Sequence, residues 1–293
     1  MITYAGIGSR EINDAERKTI HSISEYLSSK NYYVSSGNCH GGDQAFQEGS
    51  QDKCIIWVPD QHFKRKDYDY QKYSYAWKVA GESLEGCDYA LKNHPLKDGL
   101  KSEKHAYTLK LMARNYHQVM CGEANASRDG SLVTIPEIKF LVACADPIVK
   151  KKVNGLGQVE MLSSVDGGTG FAWDLAQKKG IPCVTIRDPE WKVKLRNIVN
   201  ALESSSLTRV VNVKVEKPDI AIGRPSKWGN PFIMGKDGTR EDVVRKYGEW
   251  ILKQPELLNS LHELKGKKIG CFCAPEKCHG DVLAKLTNEK FNK

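Results

Sequence analysis

Two stretches of this chain carry residue types that do chemistry. The first is Ser163–Ser164–Val165–Asp166–Gly167–Gly168–Thr169–Gly170–Phe171–Ala172–Trp173–Asp174. It follows the apolar run Ile138 to Ala145 after an intervening basic segment, and it opens a run, Ala172 to Lys179, with helical spacing and a stop at Gly180. The order reads strand, loop, helix. Glycines let a backbone take positive φ and approach a ligand, and the first amides of the following helix point outward unpaired. Asp166, Gly167, Gly168, Thr169 and Gly170 are therefore expected to hold a phosphate or carboxylate, with Gly168 in particular needing positive φ. A tight βα turn with no ligand is the plain alternative, because one glycine loop is a weak signal.

The second stretch runs Cys271–Phe272–Cys273–Ala274–Pro275–Glu276–Lys277–Cys278–His279–Gly280–Asp281 and opens the last helix. Cys271 and Cys273 are expected on one face of a strand, Lys268 to Cys273, with Cys278 and His279 returning across a short turn. Thiolates and imidazole are zinc ligands, yet C-x-C beside a C-H pair departs from the usual C-x₂-C spacing. Three readings stand side by side: zinc on Cys271, Cys273, Cys278 and His279; a ligand site using the Cys278 thiol and the amides of a helix start; and plain burial of Cys271 and Cys273. Adjacent Cys278 and His279 are not expected to turn toward one ion, which favours the ligand site, with no cofactor needed and zinc the one candidate.

The elements that must position these residues alternate. A strand, Ile2 to Ala5, leads into Gly6–Ile7–Gly8–Ser9–Arg10, then Asn13 or Asp14 caps a helix with Ile20, Ile23 and Leu27 on one face. Strand Tyr32 to Ser36 feeds Ser36–Gly37–Asn38–Cys39–His40–Gly41–Gly42–Asp43, a second glycine loop opening a helix that ends near Gly49, and strand Cys54 to Val58 stops at Pro59. Strands alternating with helices predict an α/β fold on a parallel sheet, whose ligands bind at the carboxyl ends of the strands, where the three glycine loops would converge.

Residues 61–104 break that rhythm with Tyr68, Tyr70, Tyr73, Tyr75 and Trp77 among lysines and aspartates, and read as a helical insert with an aromatic core rather than as a base-stacking surface. Ser102 to Gly122 is a helix carrying Arg114 and Asn115, which a helix normally leaves in solvent. Near the end, Ile222 to Phe232 holds two prolines, two glycines and an exposed-looking Trp228, the make-up of a binding loop. Thr239 to Asp242 resembles a capping box.

At 293 residues the chain can form two cored domains. It has no long apolar run and opens straight into a strand, so a cytoplasmic protein without membrane contact is expected, in the host cytoplasm if a phage encodes it. Nine cysteines, six of them scattered without framework spacing, read as reduced thiols. The net charge of +8 lies mostly in residues 207–293, which hold 17 basic and 11 acidic side chains. That asymmetry suits an anionic partner and supports a boundary at Leu202 to Ser206, dividing a first domain, 1–203, from a smaller α+β domain, 207–293.

The three glycine loops together resemble the SLOG superfamily of Rossmann-like nucleotide-binding domains, which includes the DNA-processing protein A fold, the YspA-like proteins and the Lonely Guy phosphoribohydrolases. The resemblance is strongest to DprA-like phage and bacterial proteins, through the helix Leu111 to Val119 ahead of the Gly-Gly-Thr-Gly loop, and covers most of residues 1–190. It implies a nucleotide or NAD-derived ligand held by Gly6, Gly8, Ser9, Arg10, Ser36, Gly37, Gly41, Gly42, Asp43, Asn115 and the loop 166–170. It also implies hydrolysis of an N-glycosidic bond, with Arg114 and Asp174 where the hydrolase branch has its arginine and glutamate; a carboxylate there could stabilise an oxocarbenium-like transition state. Asn115 stands where that branch has lysine and Phe171 where it has threonine. A non-catalytic sensor of a nucleotide signal in defence or counter-defence, and a DprA-like nucleic-acid binder, are the alternative functions, and a homo-oligomer is expected. Residues 207–290 resemble a small phage and bacterial family of unknown function that shares the Gly-Arg-Pro-Ser-Lys-Trp-Gly-Asn-Pro-Phe and Cys-His-Gly-Asp motifs. This implies that Arg224, Lys227, Trp228 and Asn230 face Cys278, His279 and Asp281 across one pocket, the cations for phosphate and Trp228 for a base or ribose.

Overall fold

A computed structural model of the protein describes residues 1–63, 69–94, 99–153 and 158–291. Its elements are β1 (Ile2–Gly8), α1 (Asp14–Ser29), β2 (Tyr32–Ser36), α2 (Gly42–Ser50), β3 (Cys54–Val58), α3 (Tyr70–Tyr73), β4 (Ala76–Val79), α4 (Leu84–Asn93), α5 (Ala106–Met120), β5 (Gly122–Ala126), β6 (Leu132–Ile135), β7 (Leu141–Cys144), β8 (Pro147–Val153), β9 (Val159–Val165), α6 (Thr169–Lys178), β10 (Cys183–Thr185) and α7 (Trp191–Ser206). There follow β11 (Arg209–Asn212), β12 (Ile220–Ala221), α8 (Arg240–Ile251), α9 (Pro255–Ser260), β13 (Lys268–Cys271) and α10 (His279–Phe291). The chain divides into two compact units, Met1–Ile198 and Val199–Lys293. The division falls inside α7, so Leu202 to Ser206, expected as a linker, are the last turns of a helix.

In the first unit eight strands form one sheet in the order β10-β7-β1-β2-β3-β4-β5-β6. The six strands from β10 to β4 pair in parallel, and β5 and β6 add an antiparallel edge. This is the α/β class that the alternating pattern predicts. The inner strands β3 and β7 are buried along their whole length, as befits short apolar runs covered by helices on both faces. Asn13 caps α1 in a reciprocal box with Glu16, and Ile20, Ile23 and Leu27 are buried beneath it.

Two expectations fail here for identifiable reasons. The stretch 61–104 is not a purely helical insert: β4, within it, pairs with β3 in the central sheet, and its Trp77 meets Tyr70 edge to face at 5.8 Å. Tyr68 lies outside the described residues. The basic segment ahead of the Gly-Gly-Thr-Gly loop is a separate antiparallel hairpin, β8 with β9, so the loop follows β9 rather than a strand of the parallel sheet. The Asp166 amide then donates to the Asp146 carbonyl at 3.1 Å, returning the chain to the carboxyl end of β7.

The second unit has a three-stranded parallel sheet, β11-β13-β12. Its core joins Ile222, Trp228, Tyr247, Ile251, Ile269 and Leu283. Thr239 and Asp242 make the expected capping box at α8. Among the described residues, no helix is long and apolar enough to cross a membrane.

Candidate functional site

In the first sheet β1 lies between β2, to which the chain runs directly, and β7, which it reaches only after five intervening strands. Connections leaving β1 and β7 diverge, and the crevice opened at such a switch point is where α/β sheets take ligands. A cavity of about 360 Å³ lies there. All three glycine loops contribute to it: Gly8, Ser9 and Arg10 at the end of β1, Cys39 and Asp43 after β2, and Asp166, Gly167, Gly168 and Thr169 at the start of α6. Helix α5 supplies the remaining wall with Leu111, Met112, Arg114, Asn115 and Gln118.

Arg114 is 6% exposed, not solvated as its helical position would suggest. Its Nη1 is 3.4 Å from Asp43 Oδ2 and its Nη2 is 3.7 Å from Cys39 Sγ, while Nε has no partner among the described residues. A buried guanidinium with an unused N–H is costly to leave unsatisfied. Asp43 in turn accepts the amides of Gly8 and Cys39, each at 3.3 Å. Burial pushes its carboxyl above the usual range, and Arg114 pulls it back only in part. Gln118, one helical turn beyond Arg114, brings a second buried unpartnered donor, Nε2. Sequence reasoning missed Gln118. Its signal was the spacing of Leu111, Arg114, Asn115 and Gln118, which places polar groups on the buried face of a helix.

The glycines divide into two groups. A Cβ on Gly37 would come within 1.4 Å of Arg114 Nη1, and one on Gly42 within 2.8 Å of Gly8 Cα. Gly37 thus makes room for the arginine and Gly42 for close approach of α2 to β1, while Gly6, Gly41 and Gly170 are likewise closed in by protein atoms. Ser36 is structural too, donating to the Gly6 carbonyl at 2.8 Å. None of Gly6, Ser36, Gly37, Gly41, Gly42 and Gly170 lines the cavity. Only Gly167 and Gly168 in the third loop meet open space. Positive φ belongs to Gly167, at 64°, whereas Gly168 has helical backbone angles, so its expected positive φ is corrected. Asn115 Nδ2 donates to the Gly168 carbonyl at 3.1 Å and fixes the loop against α5. The amides of Gly168 and Thr169 find no acceptor among the described residues, as expected for a helix start.

Asp174 is elsewhere. It lines a neighbouring cavity of about 120 Å³ with Tyr89, His94, Lys150 and Phe171, on the other side of Gly167 and Gly168. Lys150 Nζ and Ser164 Oγ donate to its two oxygens at 2.7 and 2.6 Å. Arg114 and Asp174, the expected catalytic pair, are therefore not brought into one cavity.

The second unit has a cavity of about 320 Å³ lined by Arg224, Asn230, Phe232, Arg240, Cys271, Cys273, Lys277, Cys278 and His279 among others. Of the seven residues expected there, Arg224, Asn230, Cys278 and His279 line it and Lys227, Trp228 and Asp281 do not. Trp228 is 2% exposed and belongs to the core, its carbonyl accepting from Tyr247 Oη at 2.8 Å, so it cannot stack on a ligand. Lys227 pairs with Glu263 at 2.7 Å. Asp281 caps α10, accepting the Cys278 amide at 2.8 Å. The polar atoms of Asn230 are also engaged, with the Val243 carbonyl and the Phe232 amide. The Gly-Arg-Pro-Ser-Lys-Trp-Gly-Asn-Pro-Phe motif is thus mainly a fold-holding loop that offers Arg224 to the cavity.

Ligand atoms of Cys271, Cys278 and His279 lie within 4.8 Å of one another, correcting the expectation that adjacent Cys278 and His279 cannot converge. Residue 279 begins α10 and residue 278 immediately precedes it. Cys273 is outside this triplet because β13 ends at Cys271, so strand alternation no longer governs where it points. The nearness of the two thiols holds that of Cys271 below its usual range and pushes that of Cys278 up.

Comparison with known proteins bears on the second unit. The family described as a domain of unknown function, DUF4326, matches residues 206–289. An uncharacterised 12.4 kDa protein from the nrdA-td intergenic region of Enterobacteria phage T4 is 37% identical over 90 residues, which are 29% of this chain and 82% of the phage protein. The chain belongs to the DUF4326 family through its second unit. Uncharacterised protein R718 of Acanthamoeba polyphaga mimivirus is a further relative, 35% identical over 98 residues, covering 27% of this chain and 75% of its own. The aligned stretches make up most of each of these two viral proteins. The solved structure of DNA processing protein A from Helicobacter pylori, described for its single-stranded DNA binding mode, aligns with 69% of this chain and 80% of its own at 13% identity. Its TM-score is 0.33, too slight a likeness to bear on function.

Proposed function

We propose that the first unit is a binding domain for a nucleotide or nucleotide-derived ligand at the switch point between β1 and β7. The observation that carries this reading is buried Arg114, with Nε unpartnered, on the wall of that cavity. The lining has both signs, Arg10 and Arg114 with Glu11, Asp43 and Asp166. A bare anion would not call for three carboxylates, whereas a ribose phosphate needs donors for phosphate and acceptors for hydroxyls. On this reading the amides of Gly168 and Thr169 take a phosphate at the start of α6, Arg114 and Gln118 donate to further oxygens, and the carboxylates accept ribose hydroxyls. The likeness of the three loops to the SLOG superfamily supports the same assignment.

Binding without turnover is favoured over N-glycosidic hydrolysis, because Asp174 lines the neighbouring cavity and both its oxygens have partners. The viral relatives of the second unit support a phage or mobile-element source, with action in the host cytoplasm. Calorimetric titration of the full chain with adenosine monophosphate and with ADP-ribose tests the reading, alongside chromatography for released base. Saturable binding with the nucleotide recovered intact is expected. Released base would make the protein a hydrolase, and affinity confined to single-stranded DNA, falling steeply with salt, would make it a nucleic-acid binder.

A further inference from the structure

The cavity of the second unit holds three buried ligand-type groups that the nucleotide reading does not use. Cys271 closes β13, His279 begins α10 and Cys278 immediately precedes it, its amide held by Asp281. Their ligand atoms already lie within 4.8 Å of one another. Zinc held at about 2.0–2.3 Å by two thiolates and an imidazole keeps its donors roughly 3.5–3.8 Å apart, a small contraction from what is seen. His279 Nε2 donates to the Ile222 carbonyl at 3.0 Å, which leaves Nδ1 with a lone pair to offer. Protein carbonyls orient metal-bound imidazoles in the same way. The Gly280 amide donates to Cys278 Sγ at 3.3 Å, stabilising negative charge on that sulfur.

The rest of the wall supplies a second observation. Arg224, Arg240 and Lys277 line the cavity, and no carboxylate lies in its described lining. A zinc ion with two thiolates and one imidazole is neutral overall, so it does not balance these cations. Three protein ligands also leave a tetrahedral ion one position short. We infer that Cys271, Cys278 and His279 hold a zinc ion whose fourth position opens into this cavity and takes an oxyanion, which Arg224 and Arg240 help to bind.

The test uses the full chain, purified reduced and without added metal, then measured for metal content and reconstituted with cobalt. One zinc per chain and a thiolate-to-cobalt charge-transfer band are expected. Inorganic phosphate should shift the cobalt bands, and Arg240→Ala should raise the half-saturating phosphate concentration about tenfold. Cys271→Ser should lose the metal, while Cys273→Ser should keep it. A folded wild-type chain that takes up neither zinc nor cobalt would overturn the inference. Loss of zinc on Cys273→Ser, or cobalt bands indifferent to phosphate, would overturn the open position.

Discussion

The two cavities are of similar size, about 360 and 320 Å³, yet they are built in opposite ways. The first gathers residues from Ile7 to Thr169, carries both signs of charge, and leaves buried donors unused within a finished scaffold. The second is made by two short motifs and one face of α8, carries only cations among its charged side chains, and sets sulfur and imidazole at its wall. The difference teaches that a glycine-rich motif and a Cys-His motif do not locate a site equally well. The glycines mostly let other groups approach, so the functional atoms sit on neighbouring elements, whereas the Cys-His motif carries the donor atoms itself.

The comparison breaks most visibly at Trp228. If it belongs to the core, Trp228→Ala should cost the second unit about 3–5 kcal/mol in chemical denaturation and leave the first unit's transition unchanged. A stable variant would return the indole to the role of a stacking surface.

Gly37→Ala sharpens the claim that glycines serve Arg114. The added methyl occupies the place of Nη1, so the guanidinium must move, and nucleotide affinity should fall by about 1.5–3 kcal/mol although Gly37 does not line the cavity. Titration of a variant with native circular dichroism checks this, and unchanged affinity would separate Arg114 from the ligand.

A smaller effect concerns the ion pairs by which Arg187 ties α1 to the segment after β7. Arg187 Nε donates to Glu16 at 2.7 Å and Nη1 to Asp146 at 2.8 Å, and the arginine holds the Glu16 carboxyl below its usual range. A depressed carboxyl pKa adds stability above the unfolded value, about 4.3, and loses it as pH falls through the folded one. Arg187→Gln should therefore cost about 0.5–1 kcal/mol at pH 7 and less than that at about pH 3. Urea unfolding at the two pH values measures the difference, and a cost undiminished in acid would assign Arg187 to packing.

Much of the fold was legible because it is local. Apolar periodicity marks β1, β2, β3 and α1, and Thr239 with Asp242 marks the start of α8. The strand β4 was hidden because its Trp77 and Lys78 are only half buried, and the hairpin β8 to β9 because Val149, Lys151 and Met161 on it are exposed, so neither shows an apolar run. The site was half legible. Motifs found the three loops, but that Gly37 yields its space to Arg114, 77 positions away, depends on tertiary packing. Trp228 and Asp281 misled because a loop tryptophan and a helix-start aspartate look the same in sequence whether they serve core and cap or a ligand.

The most direct test of the central claim is calorimetric titration of the wild-type chain and of Arg114→Ala with the nucleotide that binds. The account predicts one site per chain and at least a tenfold loss of affinity in the variant, about 1.4 kcal/mol or more, with Asp174→Asn close to wild type. Equal affinity in a folded Arg114→Ala, or loss on Asp174→Asn alone, would contradict it.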